Sequence, residues 1–248
     1  MDLVKYRQSD SEISRTEDLL RLLPRGRTSV LDIGARDGHF SKLLAEHFDS
    51  VTALDMTPLN LEYPRLTVVT GDATNLPFPD DSFDCVFCAE VLEHIPNVVR
   101  AAQEIARVTR HEIIIGVPYR QDIRLWCVTC PRCGKVSPPY GHVNSFDDQR
   151  LTELFPGWDL VARSFVGLRK EATSAFATWL MDIGGNPWGT YDQHEPCSHC
   201  GAKLTPPAPR PIWRRACAAI ALLTNRVRSW LSPSQPNWIH VVFSRPPR

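Results

Sequence analysis

Apolar runs and helix-like apolar stripes alternate along the first half of the chain. Residues 29–48 contain an apolar run, then a glycine turn, and then apolar positions at helical spacing, namely Phe40, Leu43, Leu44 and Phe48. Continuous runs of this length are typical of buried strands, whereas the i, i+3, i+4 spacing is typical of helices. Further strands are predicted within residues 50–56, 65–78, 82–95 and 111–118, and a helix is predicted within residues 97–109.

This order of elements predicts the fold class. Strands that alternate with helices build an α/β protein with a parallel, doubly wound sheet and right-handed crossovers. In such sheets ligands bind beyond the carboxyl ends of the strands. Chemistry is therefore expected where these strands end, and the second and third strands end at Asp55 and at Gly71 with Asp72.

The second half of the chain interrupts the alternation with segments rich in proline and cysteine. Residues 145–155 predict a helix with Ser145 as its N-cap, and residues 158–168 and 237–246 predict a sixth and a seventh strand. We therefore predict a core formed by residues 1–118, 145–168 and 236–248. Residues 119–144 and 169–235 then form two insertions that project from it.

Composition limits the classes of partner and compartment. The 248 residues include 28 Lys plus Arg and 28 Asp plus Glu, and this balance weighs against a nucleic-acid partner. No secretion signal opens the sequence, and the longest apolar run, residues 216–223, is too short to span a bilayer. Eight cysteines without such a signal favour a reducing cytoplasm, in which clustered thiolates bind metal more readily than they form disulfides.

Two similar cysteine motifs, one in each insertion, predict a metal site. "CPRCGK" at residues 130–135 and "CSHCGAK" at residues 197–203 both read Cys-x-x-Cys-Gly with a lysine close behind. Two such turns offer four thiolates to one tetrahedral zinc ion, and a shell of four cysteines is closed and therefore structural. The predicted ligands are Cys130, Cys133, Cys197 and Cys200.

Other metal ligands compete with this set. Cys127 could replace Cys130 in an overlapping Cys-x-x-Cys, but no glycine follows that motif. Three histidines are alternative ligands, namely His142, His194 and His199. With the ligands divided between the two insertions, zinc would staple both together into a lid over the carboxyl edge of the sheet.

Residues 212–231 predict a basic amphipathic helix. Six apolar side chains recur at helical spacing and arginines occupy the other positions; the six are Trp213, Cys217, Ile220, Leu223, Val227 and Trp230. We interpret this segment as a covering helix that packs on the sheet or the zinc lobe. The alternatives are peripheral contact with an anionic membrane, or a homodimer contact.

The motifs of the first half, taken in order, resemble the class I S-adenosylmethionine-dependent methyltransferases. The resemblance covers roughly residues 28–118 and lies in "DIGARDG" (32–38), Asp55, Asp72 with Ala73, and "AEVLEHI" (89–95). It implies a seven-stranded, mostly parallel, Rossmann-like sheet whose last strand is antiparallel, here with a zinc-binding insertion lobe. Arg36 departs from the pattern, because the family often has a glycine there.

The resemblance also implies the cofactor site. In that family the first glycine loop approaches the methionine part of S-adenosylmethionine, the acid ending the second strand holds the ribose hydroxyls, and the aspartate after the third strand meets the adenine. The corresponding residues of this chain are Asp32, Gly34, Ala35, Gly38, Asp55, Met56, Asp72, Ala73 and Glu90.

The predicted activity is methyl transfer to a small molecule or a glycan, with an oxygen acceptor favoured over nitrogen. A neutral histidine suits the removal of a hydroxyl proton near physiological pH. His94, after the fourth strand, is the first candidate general base, and His142, in the loop beside the cysteine motif, is the second. Two alternatives stay open: an RNA methyltransferase that grips RNA with the zinc lobe, and a non-catalytic partner subunit of methyltransferase fold.

Overall fold

The computed structural model describes residues 6–193 and 195–247, so His194, an alternative metal ligand, lies outside the described residues. These residues divide into two compact units. The sheet unit comprises Asp10–Tyr119, Phe146–Gly167 and the described residues from Trp238 onward. The cysteine unit comprises Arg120–Ser145 and Leu168–Asn237, together with the described residues before Asp10.

Within the described residues, the sheet unit is built on seven strands in the order β3-β2-β1-β4-β5-β9-β8. Their bounds are β1 (Ser29–Ile33), β2 (Ser50–Asp55), β3 (Leu66–Thr70), β4 (Phe83–Ala89), β5 (Thr109–Pro118), β8 (Asp159–Val166) and β9 (Trp238–Ser244). The first five are mutually parallel, and β9 pairs antiparallel with both β5 and β8. The prediction of a mostly parallel, Rossmann-like seven-stranded sheet is confirmed.

Helices cover both faces of this sheet. They are α1 (Asp10–Arg21), α2 (His39–Leu44), α3 (Val98–Val108) and α4 (Asp148–Leu154), with a 3-10 turn at Leu92–His94. Leu19, Leu44 and Phe48 pack on one face against β-strand residues such as Val30 and Phe87, while α3 and α4 pack on the other. Full burial of one such side chain contributes about 1.5–3 kcal/mol. The central strands are buried on both faces, which explains their continuous apolar runs.

The predicted N-cap of α4 is wrong. The helix is capped by Asp147, whose carboxylate accepts a hydrogen bond from the Arg150 backbone N–H at 3.0 Å. Phe146 is 1% exposed and bridges to Tyr119, so the chain is still extended one residue after Ser145. Because Phe146 is held in this extended conformation, α4 begins only after it.

The cysteine unit has its own small elements. A two-stranded ribbon pairs β6 (Val128–Thr129) with β7 (Val136–Ser137) in antiparallel fashion, and a 3-10 turn follows at Pro139–Gly141. Two further helices, α5 (Ala175–Gly184) and α6 (Ile212–Leu231), pack against each other through small residues. A Cβ atom added to Gly184 would lie 2.5 Å from the Cβ of Ala218. The two helix backbones therefore approach closely.

Helix α6 packs on α5 of the cysteine unit, but not through the large apolar positions that its spacing indicated. Ala218 and Ala221 are its buried residues, whereas Trp213, Ile220, Leu223, Val227 and Trp230 are all exposed. Among the described residues, no helix has the length and apolarity needed to cross a membrane.

Candidate functional site

The loop after β1 is held in a conformation that glycine makes accessible. Gly34 and Gly38 both have φ of +76°, in the left-handed region that disfavours side chains. The Gly34 N–H donates to the Leu54 carbonyl at 2.8 Å, and the Ala35 N–H donates to the same oxygen at 3.1 Å. These bonds tie the loop to the end of β2 and leave its backbone at the carboxyl edge of the sheet.

Side chains would not fit at either glycine. A Cβ atom at Gly34 would fall deep inside the van der Waals radius of Val91 Cγ2, and one at Gly38 would lie 2.5 Å from Leu61 Cδ1. Arg36, the departure from the family pattern, has φ of +52° and is exposed. Its side chain therefore leaves the loop backbone free to approach a ligand.

Asp32, the penultimate residue of β1, is a buried acid beneath this loop. It is 2% exposed and accepts a hydrogen bond from Ser41 Oγ at 2.5 Å. Burial raises the pKa of Asp32 to about 7, and the nearby charge of Asp55 acts in the same direction. Near neutral pH this carboxyl is therefore close to the midpoint of its titration.

Asp55 ends β2, and its carboxylate already accepts hydrogen bonds from neighbouring residues. Its Oδ1 accepts from the Thr57 backbone N–H at 2.9 Å and from Thr57 Oγ1 at 2.8 Å, while Oδ2 accepts from the Arg36 N–H at 2.9 Å. Each carboxylate oxygen has two lone pairs. One position on Oδ2 therefore stays available to a hydroxyl, whereas Oδ1 is already saturated.

The remaining predicted cofactor residues of β2 and β3 lie at the same edge. Met56 follows Asp55 and is 75% exposed. Asp72 is exposed, and its Oδ1 accepts from the Thr74 N–H at 2.8 Å, which shapes the turn after β3. Ala73 is 6% exposed and packs into the core next to that turn. Because β1, β2 and β3 are parallel neighbours, all of these residues share one edge.

The end of β4 carries an acidic cluster of which the motifs indicated only Glu90. Glu90 has φ of +59°, and its N–H donates to the Gly116 carbonyl at 2.8 Å. Burial raises the pKa of its carboxyl, and the charge of Arg15, at 3.7 Å, partly offsets that effect. Arg15 also makes a two-pronged ion pair with Glu12, at 2.6 and 2.8 Å.

Glu93 is the most unusual member of this cluster. Its side chain is fully buried in the 3-10 turn after β4, and neither carboxylate oxygen has a hydrogen-bond partner among the described residues. Burial, reinforced by the charge of Glu90, raises its pKa well above the ordinary range, which favours the protonated form of the carboxyl. Sequence reasoning missed Glu12, Arg15 and Glu93, because nothing in their spacing separates them from a solvated helix and turn.

The two candidate bases belong to different units. His94 ends the 3-10 turn of the sheet unit, half-buried, with its N–H bonded to the Val91 carbonyl at 3.0 Å. His142 follows the 3-10 turn of the cysteine unit, is 7% exposed and has Nδ1 2.5 Å from Gln121 Oε1. The role of either imidazole as a base stays a prediction.

The four predicted metal ligands come together within the cysteine unit. The Sγ atoms of Cys130, Cys133, Cys197 and Cys200 all lie within 4.8 Å of one another. The separation is 3.6 Å between Cys130 and Cys200 and 3.7 Å between Cys133 and Cys197. Four sulfurs at about 2.3 Å from a tetrahedral zinc would lie about 3.8 Å apart, whereas a disulfide would bring two of them to about 2.05 Å. The cluster has the size of a zinc site.

The two cysteine turns share one backbone design. In the first, the Cys130 N–H donates to the Lys135 carbonyl and the Gly134 N–H donates to the Cys130 carbonyl. The second repeats both bonds at Cys197, with Ala202 as acceptor and Gly201 as donor. Gly134 and Gly201 have φ of +71° and +67°. The matched glycines of the two motifs therefore serve the same tight turn.

The alternative ligands stay outside this cluster in the described residues. The Cys127 thiol is buried and donates to the carbonyls of Ile123 and Arg124 at 3.4 and 3.5 Å. His199 lies on the second cysteine turn but is not among the four grouped ligands.

Comparison with known proteins is consistent with the site geometry. Residues 31–115 match the family model described as a methyltransferase domain. The malonyl-[acyl-carrier protein] O-methyltransferase of Methylococcus capsulatus is 30% identical over 159 residues, which cover 58% of this chain and 54% of that protein. The uncharacterized methyltransferase YcgJ of Bacillus subtilis is 32% identical over 98 residues, 36% of this chain and 39% of that protein. The chain thus spans about half or less of the length of these relatives.

One solved structure is similar in fold to nearly the whole of this chain. The N-methyltransferase NodS of Bradyrhizobium japonicum, solved with S-adenosyl-L-homocysteine, has a TM-score of 0.57 at 15% identity. The superposition covers 98% of this chain and 91% of that chain. At that identity the likeness concerns the fold alone.

Proposed function

We propose that this chain, which carries a domain of the class I S-adenosylmethionine-dependent methyltransferase family, transfers a methyl group to an oxygen of a small molecule or glycan. The observation that carries the proposal is the loop from Gly34 to Gly38. Its positive-φ glycines pack against Val91 and Leu61, and its backbone is bonded to the end of β2, so the loop lies at the carboxyl edge of the sheet, where doubly wound sheets bind their ligands.

The residues at this edge fit S-adenosylmethionine. Asp55 Oδ2 has one lone-pair position left for a ribose hydroxyl, and a second hydroxyl would have to displace a Thr57 bond from Oδ1. Asp72, which is exposed in the turn after β3, lies on the adenine side, and Ala73 packs into the core beneath that turn. When bound, the cofactor supplies a methyl group activated by the sulfonium to which it is attached.

Charge at the end of β4 fits the other half of the cofactor. An α-amino group is cationic, and two acids lie at this end of the sheet: Asp32 on β1 and Glu90 directly after β4. Arg15 offsets part of the negative charge at the end of β4, because it pairs with both Glu12 and Glu90. Burial raises the pKa of Glu93 and so favours its neutral form.

The choice of acceptor rests on chemistry and on the relatives. One relative is named as an O-methyltransferase, although this chain spans only part of it. An oxygen acceptor of high pKa must lose its proton during transfer, and His94 is the nearest histidine along the chain to the end of β4. Positioning of the acceptor against the methyl group supplies most of the remaining acceleration.

Zinc is proposed as a structural component of the cysteine unit. The four thiols close a tetrahedral shell and leave no open position for substrate. Purified protein should contain about one zinc per chain by elemental analysis, and Cys133→Ser should lower both zinc content and stability, because metal binding and folding of the site are coupled. Cys217→Ser is the matched control for zinc content, since Cys217 is a partly buried thiol on α6 that is not among the four grouped ligands. Absence of zinc from the untreated protein would refute the metal site. The lid formed by both insertions stays a proposal that depends on this metal.

Calorimetry with S-adenosylmethionine tests the proposed function. Asp55→Ala should weaken binding at least tenfold, because a hydrogen bond to a charged acceptor contributes roughly 1.5–3 kcal/mol. Asp49→Ala is the matched control, since Asp49 is exposed and precedes the same strand at its opposite end. Failure of the parent protein to bind the cofactor would overturn the proposal and favour a non-catalytic subunit. Equal affinity of the Asp55 variant and the parent would reject only the role of Asp55.

A further inference from the structure

Helix α6 exposes a continuous apolar stripe to solvent. Large residues on it are strongly exposed, with Ile212 at 83%, Leu223 at 63% and Trp230 at 76%. At about 100° per residue, seven positions fall within an arc of roughly 100°, and the stripe runs roughly 27 Å along the helix. These positions are 212, 216, 219, 220, 223, 227 and 230, and every one of them is apolar. Scattered exposed apolar residues are ordinary, but a stripe of this length is not.

The helix is anchored by its opposite face. Ala218 and Ala221 are buried, and Ala221 packs with Ala177 and Leu180 of α5. The seam with α5 uses this opposite face, so the large apolar side chains of the stripe remain between 49% and 83% exposed. The stripe is therefore accessible to a binding partner that is not part of the described residues.

All formally charged side chains on α6 are positive. Residues 212–231 contain four arginines and no Asp, Glu or Lys, although the chain as a whole has a formal net charge of zero. Arg215 and Arg226 are exposed and, by helical geometry, flank one side of the stripe. Trp213 and Trp230 stand near its two ends, and the guanidinium of Arg214 lies 5.1 Å from the Trp213 ring. Tryptophan and arginine are the residues that favour the headgroup region of a bilayer.

We propose that α6 is an interfacial helix that docks this protein onto an anionic membrane surface. The apolar stripe enters the boundary between headgroups and acyl chains, and Arg215 and Arg226 contact lipid phosphates. A second copy of the chain fits less well, because a two-fold contact would bring the same stripe and its arginines together with no acid on the helix to pair with them.

Vesicle flotation tests this proposal. The full chain should bind vesicles of phosphatidylcholine with about 30% phosphatidylglycerol at low salt, and binding should fall at least tenfold for pure phosphatidylcholine or in high salt. Leu223→Asp should lower binding to the anionic vesicles at least tenfold. Val161→Asp is the matched control, since Val161 is 58% exposed on β8 of the sheet unit and should leave binding unchanged. Arg215→Gln with Arg226→Gln should lower binding and its dependence on salt.

A second measurement does not depend on an acidic substitution being tolerated. Brominated lipids in the anionic vesicles should quench the tryptophan fluorescence of the parent, and Trp213→Phe with Trp230→Phe should remove most of that quenching. No binding by the parent, equal binding by Leu223→Asp, or equal binding to neutral and anionic vesicles would each overturn the proposal. A dimer in sedimentation that Leu223→Asp converts to monomer, without vesicle binding, would instead assign the stripe to a second copy.

Discussion

Replacement of Gly34 by alanine gives a quantitative test of the glycine loop. Two costs are expected, one from the backbone and one from the new methyl group. A non-glycine residue at φ of +76° costs about 1–2 kcal/mol, and forcing a methyl group against Val91 Cγ2 costs about 1–3 kcal/mol. The free energy of unfolding should therefore fall by about 2–5 kcal/mol in Gly34→Ala.

Matched variants separate the two costs. Gly26 has φ of +72° with nothing within 4 Å of an added Cβ, so Gly26→Ala should show the backbone cost alone. Val91→Ala removes the colliding methyl group and by itself should cost about 1–2 kcal/mol. In the double variant Gly34→Ala with Val91→Ala, the steric part should disappear, which gives a favourable coupling of about 1–3 kcal/mol.

Urea denaturation followed by circular dichroism measures all four variants on one scale. Calorimetry on the same samples reports whether the loop still admits the cofactor. Strict additivity of the two substitutions, or equal costs at Gly34 and Gly26, would refute the contact between the loop and Val91.

Three other perturbations test separate parts of the site. The first is Asp32→Asn, which should remove a pH dependence of stability. In the parent, the folded-state pKa of Asp32 is about 7, against an ordinary 3.8. The parent's free energy of unfolding should therefore fall by up to about 4 kcal/mol between pH 4 and pH 7. The variant should lack that slope in urea titrations at several pH values, and an unchanged slope would contradict the buried state of Asp32. The other two are His94→Ala and His142→Ala. Replacement of the general base should cut turnover roughly 10²–10⁴-fold with nearly unchanged cofactor affinity, and we expect this result for His94→Ala rather than for His142→Ala. Parent-like turnover of both histidine variants would contradict a histidine base.

Much of the sheet unit could be predicted because its signals are local. A strand buried on both faces must be continuously apolar, as in residues 83–89, and a helix over a sheet must repeat its apolar positions, as in residues 98–108. The carboxyl-edge residues follow from the same logic, since Gly34 directly follows β1, Asp55 ends β2 and Asp72 lies in the turn just after β3. The matched Cys-x-x-Cys-Gly motifs also specify their own turns, so their four thiols could be paired from sequence.

The tertiary structure decided what depends on partners distant in the chain. Periodicity identifies the two faces of α6, but only the close approach of Gly184 to Ala218 shows that the small face is the buried one. The N-cap of α4 moved to Asp147 because Phe146 is held in the core beside Tyr119. Likewise, Glu93 looks like a solvated acid in sequence, whereas in the folded protein it is fully buried and its carboxylate has no hydrogen-bond partner among the described residues. Local spacing specifies which residues share a face, whereas long-range packing determines what that face meets and whether a charge there is solvated.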